Sequence, residues 1–406
     1  MAVAATDRGG IGGRLVPLAL VALASTAGAG ERPTGSRLGW PSIDASAEIS
    51  TYTDTNQVQV LTPTARVAVH DEAAGWRVGG RYLVDVVSAA SPDIVATASP
   101  RWNETRHVVS VDGELRRGDL KTAGSAAVSI EPDYRSLSAG LTPSLQIDHD
   151  HVTLAAGYAL GHDTVGRTGT PFDVFHRTLW RHGFTGGASF VVDSRTLLWL
   201  GGDAVLERGN QAKPYRYVPM FSAYAAARLP AGAPATTVND LRLQERPLEK
   251  LPESRDRFAV TLRLLHRFAT ATARIEQRLY ADTWNQRAST TDLRWMQDLG
   301  PRFTVGPSVR FHVQDAVSFW QRAYVPESGP AGLRIPEFRT GDRELGSLWT
   351  LTLGGDVRLA LTERFATRRA SLVLRVAGSH TSFLDALFVS DRQALFTALG
   401  FEGQLD

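Results

Sequence analysis

Residues 303–313, Phe-Thr-Val-Gly-Pro-Ser-Val-Arg-Phe-His-Val, alternate strictly between apolar and mostly polar side chains. The odd positions hold Phe, Val, Pro, Val, Phe and Val, and the even positions hold Thr, Gly, Ser, Arg and His. A period of two is that of a β-strand whose two faces meet different surroundings. The eleven residues of this stretch also match the length of a tilted strand that crosses a membrane. The stretch therefore predicts a transmembrane β-strand.

The same alternation recurs at residues 106–116, 137–147, 258–264 and 271–282, where Gln277 is the one polar residue on the apolar face. Soluble β-sandwiches alternate too, but their strands usually run about 5–6 residues, and these candidate strands are about twice as long. Aromatic residues also stand near the strand ends, as expected of the girdles at two membrane interfaces. The aromatic residues in question are Trp180, Phe184, Trp295, Phe303 and Trp349. The sequence therefore favours a transmembrane barrel over a sandwich.

The connections between the candidate strands alternate in length. Long connections are predicted at 89–103, 164–177, 209–253, 316–344 and 383–392, with short turns between them. Outer-membrane barrels have short periplasmic turns and long extracellular loops. We therefore predict an all-β fold, an antiparallel transmembrane barrel of about 16 strands with long extracellular loops and both termini in the periplasm. The predicted strands are 44–54, 58–70, 75–88, 104–117, 119–131, 134–148, 150–162, 178–192, 194–208, 254–267, 269–283, 286–299, 301–315, 345–361, 368–382 and 392–404.

The longest predicted connection leaves an alternative open. Further strands at 215–229 and 236–245 would raise the count to 18, but the charges of Arg242 and Glu245 make a strand there unconvincing. We prefer a single loop at 209–253. Within it, residues 237–246 predict a short helix that folds into the mouth of the barrel as a constriction, because long loops without structure are uncommon unless functional.

The N-terminus has the pattern of a secretory signal peptide. Arg8 and Arg14 precede an apolar run at 15–24, and Ala27-Gly-Ala29 supplies small residues for cleavage. This pattern is too short for a membrane-spanning helix. We predict a signal peptide at 1–29 and an outer-membrane β-barrel domain at 30–406, located in the bacterial outer membrane.

The composition excludes several classes of site and partner. The chain of 406 residues has no cysteine, so thiolate metal sites, disulfides and cysteine nucleophiles are excluded. Lys+Arg is 44 and Asp+Glu is 42, a net charge of +2, so no nucleic-acid partner is expected. No later stretch reaches 18 consecutive apolar residues, so no transmembrane helix is expected.

Several segments resemble an uncharacterised family of bacterial outer-membrane β-barrel proteins, known as a domain of unknown function. The segments are 84–92, 131–138, 251–257, 278–284 with 289–291, and 310–314 with 319–324. Together they cover most of the chain from about residue 44 to the end. The resemblance implies an outer-membrane location and a barrel architecture. It implies no catalytic residues.

The predicted inner face of the barrel holds most of the charge, and arginine dominates its basic members. One interpretation is the lining of a porin-like channel for small polar or anionic solutes. The other is a neutral network of salt bridges in a non-conducting barrel that acts as a scaffold or receptor through its loops. The expected partners are outer-membrane lipid, with small polar solutes or other envelope proteins. The pore-lining candidates are Arg77, Arg81, Asp85, Arg106, Asp112, Glu114, Arg116, Arg263, Arg274, Glu276, Arg278, Asp282, Asp292, Arg294, Arg310, Asp356 and Arg358.

Histidines supply the remaining candidates for chemistry. Residues 148–151, Asp-His-Asp-His, fall at a predicted turn, and adjacent strand residues point to opposite faces, so a solvated turn is favoured over a metal site. His162, His176 and His182 lack the spacing of a metal site on a helix. His182 and His266 are placed on the outer face, but no Gly-x-Ser-x-Gly motif accompanies them. We therefore predict no enzyme, no metal and no cofactor.

Overall fold

The computed structural model of the chain describes residues 41–89, 96, 102–148, 150–329, 332–362 and 368–405. The predicted signal peptide, 1–29, lies outside the described residues. Among the described helices, none has the length and apolar character needed to cross a bilayer.

Sixteen strands within the described residues form one closed antiparallel barrel, in which each strand pairs with its neighbours in the chain and β1 pairs with β18. The barrel strands are β1 (Ser42–Asp54), β2 (Val58–Asp71), β3 (Trp76–Ala89), β4 (Trp102–Arg117), β5 (Leu120–Glu131), β6 (Tyr134–Ile147), β7 (Val152–Val165), β8 (Arg177–Asp193), β9 (Thr196–Gly209), β10 (Ser254–Arg267), β11 (Ala271–Asp282), β12 (Arg287–Leu299), β13 (Phe303–Gln314), β16 (Leu348–Ala360), β17 (Arg368–Phe383) and β18 (Asp391–Leu405). A separate hairpin consists of β14 (Glu327–Gly329) and β15 (Gly332–Arg334). The prediction of 16 strands is confirmed, and no predicted boundary differs by more than three residues.

The alternative with 18 strands is wrong, because the segment between β9 and β10 adds no strand to the barrel. It contains two short helices, α1 (Ala223–Ala226) and α2 (Ala235–Leu241). The helix predicted at 237–246 is present but begins two residues earlier and ends at Leu241. It ends there because the backbone of Arg242 is extended and pairs with Phe221, so the chain leaves the helix to form a β-bridge.

The two ends of the barrel differ. β1 begins and β18 ends at the same end, which we call the terminal end. At the opposite end, which we call the loop end, β3, β7, β9, β13 and β17 end and the next barrel strand begins. In the sequence these strands are followed by the connections 90–101, 166–176, 210–253, 315–347 and 384–390. This arrangement follows from an even number of antiparallel strands.

The outer face of the barrel is apolar and exposed. In β13, Val309 is 40% and Phe311 is 44% exposed, while Arg310 between them is half-buried. Trp180 and Trp295 also lie exposed on this face. Exposed apolar rows reverse the pattern of a soluble protein and are what the hydrocarbon of a bilayer requires.

The polar face is the concave face. Several salt bridges join side chains on strands that are separated by a third strand, which is possible where side chains converge toward the axis of a closed barrel. We call the enclosed space the lumen. The pairs that skip a strand include Arg66–Asp112, Arg77–Asp44, Arg267–Asp298, Arg278–Asp203, Arg294–Asp356, Arg358–Glu402 and Arg375–Glu48.

Candidate functional site

All of the predicted pore-lining residues stand at lumen-facing positions of their strands, in phase with the residues of the pairs that skip a strand. Most of their arginines contact a carboxylate. These pairs include Arg77–Asp44 at 3.6 Å, Arg106 Nε–Asp85 at 2.8 Å, Arg263–Glu276 at 2.5 Å, Arg274–Asp292 at 2.6 Å, Arg278–Asp203 at 2.7 Å, Arg358–Glu402 at 2.5 Å, and Arg294–Asp356. The lumen therefore carries a network of neutralising pairs as well as a high density of arginine.

Sequence reasoning missed many of the partners. Arg66, Asp203 and Glu402 share the lumen face but were not among the candidates, although each lies between residues of the apolar outer row. Applying the same period of two to every strand would have found them. To identify every lumen-facing residue, the register of all the strands must therefore be known.

The exposure of the salt bridges changes along the barrel axis. Near the terminal end, the side chains of Arg358 and Glu402 are 52% and 37% exposed. Near the loop end, those of Arg181 and Asp163 are 4% and 3% exposed. The pair Arg255–Asp282, also near the loop end, is equally buried. Water therefore reaches the lumen from the terminal end and is excluded near the loop end.

The loop end is covered by three connections that pack together, 210–253, 315–347 and 384–390, which we call the cap. Phe221, Leu229 and Val238 of the first connection form a buried cluster with Leu387 of the third. Met220 is fully buried against Tyr324 of the second connection. The cap is thus a small hydrophobic core built from loops.

A buried ionic cluster joins the first two connections of the cap. Lys213 Nζ lies 2.8 Å and Arg216 Nη1 lies 3.0 Å from Asp342 Oδ2, and all three side chains are at most 6% exposed. Thr340 donates a hydrogen bond of 2.6 Å to Glu249, which lies 3.5 Å from Arg216. Two cations and two carboxylates are therefore sealed inside the cap, with their partners in place.

Lys213 and Asp342, the closest ion pair in this cluster, differ in how their surroundings change the pKa of each side chain. Burial lowers the pKa of Lys213 to about 8, with the nearby Arg216 adding to the effect. Burial would raise the pKa of Asp342, but the positive charges of Lys213 and Arg216 outweigh it and hold that pKa well below its usual range. The carboxylate is thus strongly held in its charged form, whereas the lysine is not.

The cap also contacts the lumen wall. The lumen-facing Gln314 donates hydrogen bonds of 2.8 and 2.9 Å to the carbonyl oxygens of Glu344 and Gly346. Arg392 of β18 contacts Glu344 at 2.9 Å. The segment that enters the mouth is therefore the 3-10 turn Arg343–Leu345. The helix expected to form a constriction, within 237–246, also lies in the cap, where its apolar face is buried around Val238.

One side of the lumen has small, neutral side chains. In the described parts of β5 to β8, no charged residue faces the lumen between Lys121 at the terminal end and Glu131, Asp163 and Arg181 near the loop end. The lumen-facing residues there include Ala123, Ser125, Ala127, Ser138, Gly140, Thr142, Ala155, Gly157, Thr185 and Gly187. At Gly157 a Cβ would lie 2.5 Å from Thr185 Oγ1, so only glycine fits between the strands. We call this surface the neutral wall.

The histidine candidates lie apart from the lumen network. Residues 148 and 150–151 are exposed in the turn between β6 and β7. His182 Nδ1 lies 2.9 Å from the hydroxyl of Tyr158, and His266 Nδ1 lies 2.9 Å from that of Thr196. Both pairs connect neighbouring strands on the outer face, which gives each histidine a structural role.

Three acidic residues at the loop end have carboxylate oxygens within 4.8 Å of one another, namely Glu104, Glu131 and Asp133. Asp133 accepts hydrogen bonds of 2.8 Å from both Tyr215 and Thr168. The sequence did not suggest this group, because strand pairing brings its members together from separate positions. Glu131 is buried, and Glu104 and Asp133 are half-buried.

The chain is similar, at low sequence identity, to several solved structures. A siderophore receptor, PirA from Acinetobacter baumannii, is 10% identical, with 84% of this chain and 53% of that chain covered and a TM-score of 0.41. The chain thus spans about half the length of that receptor. A bacterial polysaccharide outer membrane secretin is 10% identical, with 90% and 98% covered and a TM-score of 0.45. The CymD monoaromatic hydrocarbon channel is 9% identical, with 89% and 88% covered and a TM-score of 0.39.

A comparison with curated proteins finds no match. A model of one family matches residues 93–371, which is more than half of the chain and includes most of the barrel strands. The chain therefore belongs to the family described as protein of unknown function (DUF3570).

Proposed function

We propose that this protein is a porin-like channel of the bacterial outer membrane for small polar or anionic solutes, with a lumen that is open at the terminal end and closed by the cap. The observation that supports it is the exposure of the lumen salt bridges, which is high near the terminal end and low near the loop end. A closed barrel of this size leaves an aqueous channel unless something fills it.

The exposed charges require water inside the barrel. Arg267 and Asp298 near the terminal end are 47% and 37% exposed, on the face opposite to the lipid-facing row. Charged groups do not persist against an apolar medium without compensation. A water-filled vestibule is therefore the environment that fits these side chains, and its arginine content suits anionic solutes.

A second function is favoured by a different observation. The buried cluster of Lys213, Arg216, Glu249 and Asp342, together with the apolar core around Phe221, supports a mouth that stays closed. A barrel of that kind would be a non-conducting scaffold or receptor that contacts other envelope proteins through its loops. Conduction separates the two functions.

Ion current across planar bilayers is the test. We compare the intact barrel with a variant in which 211–252 and 316–346 are replaced by short Gly-Ser linkers. Short linkers are sufficient because Gly209 donates a hydrogen bond of 2.8 Å to the carbonyl of Glu253, and Gln314 pairs with Leu348. A variant shortened at 171–175, outside the cap, is the matched control, because it keeps Thr168 and its contact with Tyr215 of the cap.

We expect steady current from the variant without the cap, and low or intermittent current from the intact barrel and the control. Retention of the barrel is checked by resistance to unfolding in SDS before heating. A folded variant without the cap that passes no current would contradict the channel. An intact barrel that never conducts, although the variant without the cap does, would favour the scaffold.

A further inference from the structure

Two arginines lie directly opposite each other in the lumen wall. Arg66 of β2 and Arg81 of β3 are register partners, and both face the lumen. Like charges that face each other across neighbouring strands destabilise a sheet. This arrangement therefore needs a compensating negative charge.

Of these two arginines, only Arg66 forms a salt bridge among the described residues, and the carboxylates of Asp112 and Asp85 act on Arg81 from further away. Arg66 Nη2 donates to both carboxylate oxygens of Asp112 at 2.9 Å. The other nearby carboxylate, Asp85, is fully buried and is held by Arg106 and Thr62. Arg81 is exposed, and among the described residues no carboxylate lies within 4.0 Å of its guanidinium.

The space beside Arg81 is kept open by small residues. Its register partner on the other side is Ser110 of β4, and the row continues through Ala127 of β5, Ser138 of β6 and Gly161 of β7. These side chains do not reach far into the lumen, and two of them offer hydroxyl groups. Arg81 thus stands at the border between the charged side of the lumen and the neutral wall.

We propose that Arg81 is a binding site for a small oxyanion, a carboxylate or a phosphate, inside the lumen. The planar guanidinium presents paired N–H donors that match the two oxygens of such a group. The anion supplies the negative charge that the Arg66–Arg81 pair lacks, and the hydroxyl of Ser110 lines the adjacent space. The site deepens the proposed channel and rests on it for a role in permeation, but binding itself does not depend on conduction.

The first test measures binding in detergent. The melting temperature of the intact barrel is recorded in sodium phosphate and in sodium chloride at equal ionic strength. We expect phosphate to raise the melting temperature, and R81Q to weaken the apparent phosphate affinity about 10- to 100-fold. R81K should retain part of the affinity. In chloride alone, R81Q should be at least as stable as the native chain, because the repulsion with Arg66 is removed.

The matched control is the double variant R278Q/D203N, which removes an ion-paired arginine together with its carboxylate and leaves the net charge unchanged. It should keep the response to phosphate. An equal response to phosphate in the native chain, R81Q and the control would overturn the site, and so would no response in the native chain.

The second test measures the reversal potential of the variant without the cap in a salt gradient. R81Q should shift the potential toward cation selectivity, and the control should not. If the barrel conducts and R81Q changes neither affinity nor selectivity, the site is wrong and the channel stands. If no variant conducts but R81Q abolishes the response to phosphate, the site stands and the channel is wrong.

Discussion

Val309 and Arg310 are adjacent in β13 and meet opposite surroundings. Val309 belongs to the exposed apolar row, and Arg310 points to the lumen. Because successive side chains of a strand alternate between faces, a shift of one residue in register would exchange the two environments. The two positions therefore report directly on the membrane and on the lumen.

We expect Val309→Arg to destabilise the barrel by about 2–4 kcal/mol, the usual cost of an arginine on the lipid face near the bilayer midplane. Arg310→Val should lower the free energy of unfolding much less, because this substitution places no charge in the hydrocarbon of the bilayer. Reversible urea unfolding in lipid vesicles measures both values. A larger loss of stability in Arg310→Val than in Val309→Arg would contradict the assigned faces.

The absence of native cysteine allows a direct control for this pair. Single variants Val309→Cys and Arg310→Cys are labelled with a lipid-soluble and a water-soluble thiol reagent. Position 309 should react with the first reagent and position 310 with the second. The reverse result would mean that the register is wrong by one residue and that every lumen assignment fails with it.

At the scale of elements, the cap depends on charges that lie outside the barrel. The pKa of Asp342 lies well below its usual range, so the cap favours its charged form, whereas the lowered pKa of Lys213, about 8, shows that burial disfavours the charged lysine. Removing the Asp342 carboxylate would leave the two buried cations of the cluster with Glu249 alone to balance them. Removing the lysine would leave Asp342 paired with Arg216.

We therefore expect Asp342→Asn to lower the free energy of cap opening by about 3–5 kcal/mol, as is typical when one partner of a buried pair is lost. The matched variant Lys213→Met should change it much less. Cleavage of 210–253 by a dilute protease under native conditions measures the population of the open cap. Equal cleavage rates in the two variants would contradict the assigned roles.

The strands could be predicted from the sequence and the cap could not, for physical reasons. A strand such as β13 shows its two environments in its own residues, because lipid and water select alternate positions. The cap has no such period. Lys213 and Asp342 are separated by 129 residues, and the three-residue strands of the β14–β15 hairpin are too short to show any alternation.

The lumen could be predicted from the sequence only in part. The sequence predicted which strand positions face inward, such as Arg278 and Asp292, but it did not predict which charges neutralise which. Partners are set by curvature, which brings Asp203 to Arg278 across an intervening strand. That Arg81 has no salt bridge among the described residues can therefore be recognised only after the salt bridges of the lumen have been assigned.

At the scale of the whole molecule, the orientation in the membrane is the next prediction. We expect the loop end to face the outside of the cell and the terminal end to face the periplasm. Tyr224 of α1 is 67% exposed on the cap, and Asp119 is exposed in the turn between β4 and β5 at the terminal end. Tyr224→Cys should react with a membrane-impermeant maleimide on intact cells, and Asp119→Cys should react only after the cells are lysed.

This pair of variants also carries its own control, since each position must react in lysed cells. Labelling of Asp119→Cys but not of Tyr224→Cys on intact cells would mean that the barrel has the opposite orientation in the membrane. The sequence predicts this orientation from loop lengths alone. The sequence could not predict that the mouth is closed, because closure depends on how three separate connections pack together.

Closure of the barrel between β1 and β18 has a consequence for how the protein assembles. The hydrogen bond between Thr51 and Thr397 joins residues 346 positions apart in the chain. Contacts of such long sequence separation form late in folding, because the entropy of closing the loop must be overcome first. Until then β1 and β18 are two free edges with unpaired backbone groups, the kind of surface on which chains aggregate. The time between synthesis of β1 and its pairing with β18 is therefore the period in which this protein most needs protection from other copies of itself.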